Sequence, residues 1–485
     1  MSTAKLPVDT LSTWAMFNDV DLVDVEAREI PGCGLGLLSN KDLSREEETF
    51  DIPTLLRIPH ELVLSAEAVE NYAKVDKNFC QLLDAAGRQS TRHAICLFLL
   101  TQLVLSDRPK TPTKGGVPTP WTDYVKYLPP QVPVTTLWTE QERDMLKGTS
   151  LETATAAKIV ALTDEFDQLR EASGALPIWN ELFWESEKVS LIDWFRVDAW
   201  FRSRCLELPR SGEAMVPVLD LANHSSKANA YYEENGKDEV VLLLRPGCRV
   251  SAGEETTISY GDAKSGGEML FSYGFIDPAS AADRITLSLP PLDDDPLGRA
   301  KMHIYEGGPT VEFSRANGSI SWKSPFAYFM CLNEEDGLSF RVLQDHGESR
   351  ELRVFWQEED VTTTTDAFEQ HIAGHPLAQV FRLRVVAVLQ DLVTSQLERL
   401  ATGMSLEDLD ASLDEGGLVC GTCIHAAATL REQETSLLEA AVKALEEQKT
   451  QLLADENVVA YLGSMEDAQN DLAEGAASND EEEFS

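Results

Sequence analysis

Hydrophobic positions alternate with polar ones in short stretches at the start of the chain. Val23, Val25 and Ile30 stand among Asp24, Glu26 and Arg28, a mixture that predicts short strands across Val20–Ile58. The glycine-dense turn Pro31-Gly32-Cys33-Gly34-Leu35-Gly36 and then Leu37-Leu38 interrupt them. A second strand is expected at Thr49–Ile52, with Pro53 and Pro59 punctuating the next stretch. From about residue 90 to 204 the period changes to that of a helix. His93–Ser106 reads as a buried helix and Thr153–Leu169 as another, with a Pro/Gly/Thr loop at Lys110–Pro120 between them. The clearest helix is Ser190–Arg204. Ser190 and Asp193 form a capping box, and Leu191, Trp194, Phe195, Val197, Trp200 and Phe201 give a wide apolar face. Strand character returns at Val216–Leu219, Glu239–Leu244 and Thr256–Tyr260. Strands, a helical block and strands again point to a helical insertion within one β-rich domain.

Beyond Pro290 the pattern changes once more. Asp293-Asp294-Asp295 reads as a linker, and two long helices are expected at Leu377–Ala401 and Leu418–Leu453, the first stopped by Gly403. The chain then divides into a β-rich domain over 20–287 with its insertion at about 90–204, a mostly helical domain over 288–465, and an acidic, disordered tail over 466–485. The fold class is α+β. The chain contains no internal repeat.

Charge changes the picture more than hydrophobic content does. The 485 residues carry a net charge of -41, and the tail supplies only eight of the acids, so the body is itself strongly anionic. Such a surface repels nucleic acid and anionic membrane and attracts basic partners. The longest apolar run, Ala94–Leu105, is broken by Thr101 and Gln102 and is too short to span a bilayer. Met1–Asp24 lacks a basic-then-apolar signal pattern, and the eight cysteines (33, 80, 96, 205, 248, 331, 420 and 423) are scattered as in a reducing compartment. Cytoplasm or nucleus is the expected location.

Candidate chemistry lies in three segments. Gly32-Cys33-Gly34-Leu35-Gly36 lets backbone approach a ligand closely, but its spacing is not that of a dinucleotide fingerprint. Asp220-Leu221-Ala222-Asn223-His224-Ser225 gathers hydrogen-bond donors and acceptors, without any Gly-x-Ser-x-Gly nucleophile elbow elsewhere in the chain. Thr256-Thr257-Ile258-Ser259-Tyr260-Gly261 and Phe271-Ser272-Tyr273-Gly274-Phe275 each hold a Ser-Tyr-Gly unit. Cys420-Gly-Thr-Cys423 with His425 is half a zinc site, and His371 with His375 lacks a third ligand, so no metal is expected.

In this order the three segments resemble the SET-domain methyltransferases, and more narrowly the subgroup typified by the Rubisco large-subunit methyltransferase. Ser203-Arg204, Tyr273-Gly274-Phe275, the insertion and the last long helix with Leu430-Arg-Glu-Gln-Glu434 extend the likeness over about residues 20–455. The resemblance implies a core of short strands with a pseudoknot, in which the Tyr260 segment threads beneath the Asn-His loop, and a helical substrate-binding domain. It implies that Gly34, Leu35, Gly36, Arg204, Asn223 and His224, with Tyr260, hold S-adenosylmethionine. Tyr260 and Tyr273 would line the channel for a lysine side chain, with Tyr260 positioning the transition state rather than acting as a base. Two departures stand out: Cys33 replaces a glutamate, and the family's zinc-binding cysteines after the SET domain are missing between Cys248 and Cys331. The implied activity is protein-lysine N-methylation by a monomer on a basic substrate such as a ribosomal protein, a translation factor or a histone. A histidine methyltransferase of the same fold and a catalytically silent binding module are the alternatives.

Overall fold

The structure is a computed structural model that describes residues 5–47, 52–86, 88–107, 116–185, 187–344, 350–403 and 420–465. It divides into two compact units. The first comprises Met1–Asp144, Leu151–Ala281 and Val419–Ala426, and the second Met145–Ser150, Ala282–Leu418 and Ala427–Ser485. The tail expected at 466–485 and most of the loop expected at 110–120 lie outside the described residues.

The first unit is built from small antiparallel sheets around a helical block. Val25–Ile30 and Gly34–Ser39 form a hairpin, and Glu255–Thr256 adds to the outer side of the second strand. Asp21–Leu22, Thr54–Pro59, Glu239–Leu244 and Ala230–Glu234 make a four-stranded sheet in that order. A third sheet pairs Leu64–Ser65 and Cys205–Leu208 on either side of Gly212–Met215. Glu239–Leu244 reads as a continuous run of five buried residues after Glu239, which is why the pattern predicts its bounds. The strand expected at Thr49–Ile52 falls largely outside the described residues. That expected at Val216–Leu219 is instead a strand at Gly212–Met215 and then a single turn at Leu219–Leu221, because Val218 takes φ 70° and ends the extended run.

Between these strands, Thr91–Ser106, Ser150–Gly174 and Leu191–Arg204 are helices. The capping box at Ser190 forms: the Asp193 carboxylate accepts from the Ser190 amide at 3.0 Å and from its hydroxyl at 2.6 Å. Trp194, Val197 and Trp200 are buried as the apolar face requires. Asp198 on the same helix is fully buried and is held by three cations: Arg92 at 2.7 Å, Lys158 at 3.1 Å and Arg202 at 2.8 Å. Arg202 also donates to the Phe271 carbonyl at 2.5 Å, and so ties this helix to the short Gly266–Tyr273 helix that ends in Tyr273.

The second unit carries the two expected long helices, at Ala378–Thr402 and Gly421–Leu453. It also carries two three-stranded antiparallel sheets that the helical reading of this region did not anticipate: Asp283–Ser288 with Thr310–Ala316 and Ser319–Lys323, and Leu338–Gln344 with Arg350–Trp356 and Glu359–Asp360. Their alternation is present, with Ile285 and Leu287, and Val311 and Phe313, buried between polar neighbours, but the runs are short beside the two long helices. The acidic triplet 293–295 is no free linker. Asp295 pairs at 2.6 Å with the buried Lys301 ammonium, which also donates to the carbonyls of Met330 and Leu332. The Met145–Ser150 segment is held by buried polar side chains. Gln396 donates to the Gly148 carbonyl, Arg431 to the carbonyls of Met145 and Lys147, and Glu434 accepts from the Ser150 amide at 3.0 Å.

These buried charges have measurable consequences. Replacing Asp198 by Ala leaves three cations without this carboxylate, and loss of one partner of a buried pair costs about 3–5 kcal/mol. A urea titration of Asp198→Ala should show a correspondingly lower midpoint in the first unit's transition. Burial raises Glu434 to about 7, against the Ser150 bonds and Arg431 that favour its charged form. A raised carboxyl contributes stability that is complete below its unfolded pKa and is lost as pH rises through the folded value. The melting temperature of the wild type should therefore fall relative to Glu434→Gln as pH rises from about 5.5 to about 8.

Candidate functional site

Four loops meet where the strands end. The segment 222–225 and the segment 256–260 run side by side in parallel, joined by the bridge between His224 and Ile258. The Ile258 amide donates to the Asn223 carbonyl at 2.9 Å, and the Ser225 amide donates to the Ile258 carbonyl at 3.1 Å. The Tyr260 amide then donates to His224 Nδ1 at 3.0 Å, and the Tyr260 hydroxyl donates to the Ala222 carbonyl at 2.9 Å. This crossing of two chain segments is what the expected pseudoknot requires.

The same bonds fix the histidine. Because Nδ1 accepts from a backbone amide, the proton of the neutral ring sits on Nε2, which donates to Asp277 Oδ2 at 3.2 Å. Both ring nitrogens are thus engaged in structure, and the side chain has no free base to offer a substrate.

Asn223 faces the other way, toward the glycine hairpin. Its Nδ2 donates to Glu255 Oε1 at 2.7 Å and reaches the Leu35 carbonyl at 3.4 Å. Gly36 is required for this approach: a Cβ there would collide with Ile30 and lie 2.8 Å from Glu255 Oε1 and 2.9 Å from Asn223 Nδ2. Gly34, at φ 82°, has no atom within 4 Å of where its Cβ would be, so the strand's start faces open space.

Arg204 ends its helix beside Asp220. Nη1 donates to the Asp220 carbonyl at 2.6 Å and lies 3.3 Å from its carboxylate. Asp220 is buried and also accepts from the Tyr124 hydroxyl, which in turn accepts from the Val218 amide at 2.7 Å. Burial pushes the Asp220 carboxyl up, and Arg204 and Tyr124 pull it back. Arg204 Nε is buried with no hydrogen-bond partner among the described residues.

A cavity of about 400 Å³ opens beside these groups, lined by Ser203, Arg204, Tyr232, Tyr260, Lys264 and Tyr273 among others. The rings of Tyr260 and Tyr273 stand 4.6 Å apart at 31°, with His224 5.2 Å from Tyr260 and Phe275 6.4 Å from Tyr273. Burial raises the Tyr260 phenol far above its ordinary value and pushes Tyr273 up to about 12. Neither is a phenolate at neutral pH.

Of the residues picked out in the sequence, Arg204, Tyr260 and Tyr273 share the cavity wall. Asn223 joins Leu35 and Gly36 on the hairpin side, and His224 links to Tyr260 from behind. Gly34, Leu35, Gly36, Asn223 and His224 do not line the cavity itself. Sequence reasoning missed Glu255, Asp277 and Tyr124. Asp220 stood within the quoted Asn-His segment and Tyr124 beside a conspicuous tryptophan, but nothing local marks Asp277 as a histidine partner.

This arrangement of crossed segments, glycine hairpin and helical insertion is that of the SET domain, and the chain belongs to the SET-domain family. It is 31% identical over 350 residues to SET domain-containing protein 8 of Schizosaccharomyces pombe, covering 71% of this chain and 76% of the relative. It is 26% identical to the [fructose-bisphosphate aldolase]-lysine N-methyltransferase of Arabidopsis thaliana, over 65% of this chain and 63% of that protein. It is also 26% identical to the Rubisco large-subunit N-methyltransferase of Nicotiana tabacum, over 62% and 58%. The chain thus spans somewhat under two thirds of the plant enzymes' length. Among solved structures, the SET domain of LSMT bound to lysine and AdoHcy superposes with a TM-score of 0.66 over 92% of both chains at 23% identity. Rubisco LSMT bound to AdoMet superposes at 0.65 over 92% of this chain and 93% of that one. No family model matches the chain.

Gly36→Ala tests the hairpin packing. Overfilling a tight site costs about 1–3 kcal/mol, and here Glu255 and Asn223 must give way with Ile30. Urea unfolding of Gly36→Ala should report a loss in that range.

Proposed function

We propose that this chain is an S-adenosylmethionine-dependent protein-lysine N-methyltransferase. The observation that carries the reading is the Tyr260 hydroxyl. Its one hydrogen is committed to the Ala222 carbonyl, which leaves its oxygen lone pairs turned to whatever occupies the adjoining cavity. An oxygen so fixed can accept weak CH···O contacts from a polarised methyl group and set its direction.

The residues present fit the cofactor. The open backbone face at Gly34 suits close approach by a ligand, and the orphaned Nε of Arg204 is a donor that a carboxylate would satisfy. Gly34, Leu35, Gly36, Arg204, Asn223 and His224 would hold it, which supplies an electrophilic methyl group on sulfur. The chain's own residues do the rest by position. The rings of Tyr260 and Tyr273 pack against each other and form an aromatic wall of the cavity, suited to the methylenes of a lysine. Lysine's ordinary pKa of about 10.4 means that the amine must lose a proton, and burial among apolar rings favours the neutral form. Neither tyrosine takes that proton as phenolate, given their raised values. Alignment of the amine is the main contribution of the site.

The lysine methyltransferases among the relatives support lysine as the target. The anionic charge of -41 supports a basic protein substrate, for which a ribosomal protein, a translation factor or a histone is suitable. A monomer in the cytoplasm or nucleus completes the proposal.

The test is methyl transfer from labelled S-adenosylmethionine to an undermethylated extract of the source cells. Tyr260→Phe should lower kcat by about 100-fold, since misplacement of about 1 Å is worth that much, and by more than it weakens cofactor binding. Hydrolysed product should yield methyl-lysine. Methyl-histidine, or cofactor binding with no transfer, would overturn the assignment.

A further inference from the structure

Methyl transfer makes no use of Cys420-Gly-Thr-Cys423. The pair stands at the start of the 33-residue Gly421–Leu453 helix. Cys420 is exposed and Cys423 is buried. The Cys423 amide donates to the Cys420 carbonyl at 3.0 Å, which closes the turn. Helical geometry places Cα atoms three residues apart about 5 Å from each other, within the roughly 4.4–6.8 Å that a disulfide spans.

Three further features give the two sulfurs different characters. The Thr422 hydroxyl lies 2.9 Å from Cys420 Sγ, and with the backbone amides of the first turn it holds that thiol below its ordinary pKa. The positive end of the helix favours a thiolate at this place. Cys423 is shifted the other way, first by burial and then by the neighbouring Glu142 carboxylate. Glu142 is itself buried. It accepts from the Cys420 amide at 3.0 Å and from the Thr139 amide at 2.7 Å. Burial alone would raise Glu142, but these bonds outweigh it and keep the carboxylate ionised. Among the described residues no group of three or more His, Cys, Asp or Glu side chains is arranged to hold a metal ion.

We propose that Cys420 and Cys423 form a thiol–disulfide exchange site, in which exposed Cys420 reacts with a small-molecule disulfide and buried Cys423 resolves the product. In the first step the Cys420 thiolate attacks one sulfur of the external disulfide. A Cys420–S–S–R bond forms, and RS⁻ leaves. In the second, Cys423 gives its proton to the RS⁻ released in the first step, directly or through water, and attacks the Cys420 sulfur, and the second RS⁻ leaves. That RS⁻ takes up from solvent the proton that Cys420 had released. Overall one dithiol and one disulfide become an intrachain disulfide and two thiols, and the oxidant is the external disulfide itself.

Full-length protein is incubated with oxidised glutathione, quenched with acid, alkylated and mapped by peptide mass spectrometry. The expected result is an intrachain 420–423 disulfide in the wild type, with the other six cysteines alkylated. Cys423→Ser should stop at the Cys420–glutathione mixed disulfide. Glu142→Gln removes the neighbouring charge that disfavours the Cys423 thiolate, so resolution should quicken and the ratio of mixed to intrachain disulfide should fall while the first step keeps its rate. A merely structural role for Glu142 would not move that ratio. Wild-type protein in which both thiols stay fully alkylatable, or in which Cys420 links to another cysteine, would overturn the proposal without reference to methyl transfer. An unchanged ratio in a folded Glu142→Gln protein would overturn the part assigned to Glu142.

Discussion

The hydrogen bond from the Tyr260 amide to His224 Nδ1 is the constraint from which the site is built. It locks one chain crossing to another 36 residues away. It fixes the imidazole tautomer and sends the remaining ring N–H to Asp277. It also sets the Tyr260 ring where its hydroxyl meets the Ala222 carbonyl. Each group in this set satisfies its neighbour, so the loss of any one leaves a polar atom unpaired in a partly buried place, at a cost of about 1–3 kcal/mol. An irregular loop is thereby as fixed as a sheet.

Around that crossing the fold adds two supports of different physical kind. On the hairpin side, close packing does the positioning: Gly36 has no room for a side chain, and Asn223 reaches Leu35 and Glu255 across the gap. On the insertion side, buried charge does it. Asp198 gathers Arg92, Lys158 and Arg202, and Arg202 reaches on to the helix that bears Tyr273. The two tyrosines therefore take their positions from separate parts of the first unit, which explains how an insertion in the middle of a β-rich domain serves the cavity. The raised phenols come from the same enclosure, and they direct the chemistry toward alignment rather than base catalysis.

Much of the local structure was legible in the sequence, for reasons that are local. Ser190 and Asp193 marked a helix start because a capping box needs only three residues' spacing. Glu239–Leu244 was readable because a buried strand is a short apolar run. The two long helices of the second unit were visible in their length and period. Val216–Leu219 misled because the decisive fact, the positive φ of Val218, is enforced by Tyr124 hydrogen-bonding its amide from 94 residues away. The sheets of the second unit carried a readable period, Ile285 and Leu287 and then Val311 and Phe313 alternating with polar residues, but such short runs were passed over beside two much longer helices.

The sequence by itself determined which side chains carry chemistry, their order, the helical insertion between the two halves of the site, and the family resemblance those features support. Only the tertiary structure decided which of these residues meet. It placed Arg204, Tyr260 and Tyr273 on one cavity, tied both ring nitrogens of His224 to Tyr260 and Asp277, and brought Glu142 to a cysteine pair that had read as half a metal site. The division has one physical cause. Helix caps and periods depend on residues three or four apart, whereas a site depends on contacts whose partners lie tens to hundreds of residues away and are brought together by packing of the whole domain.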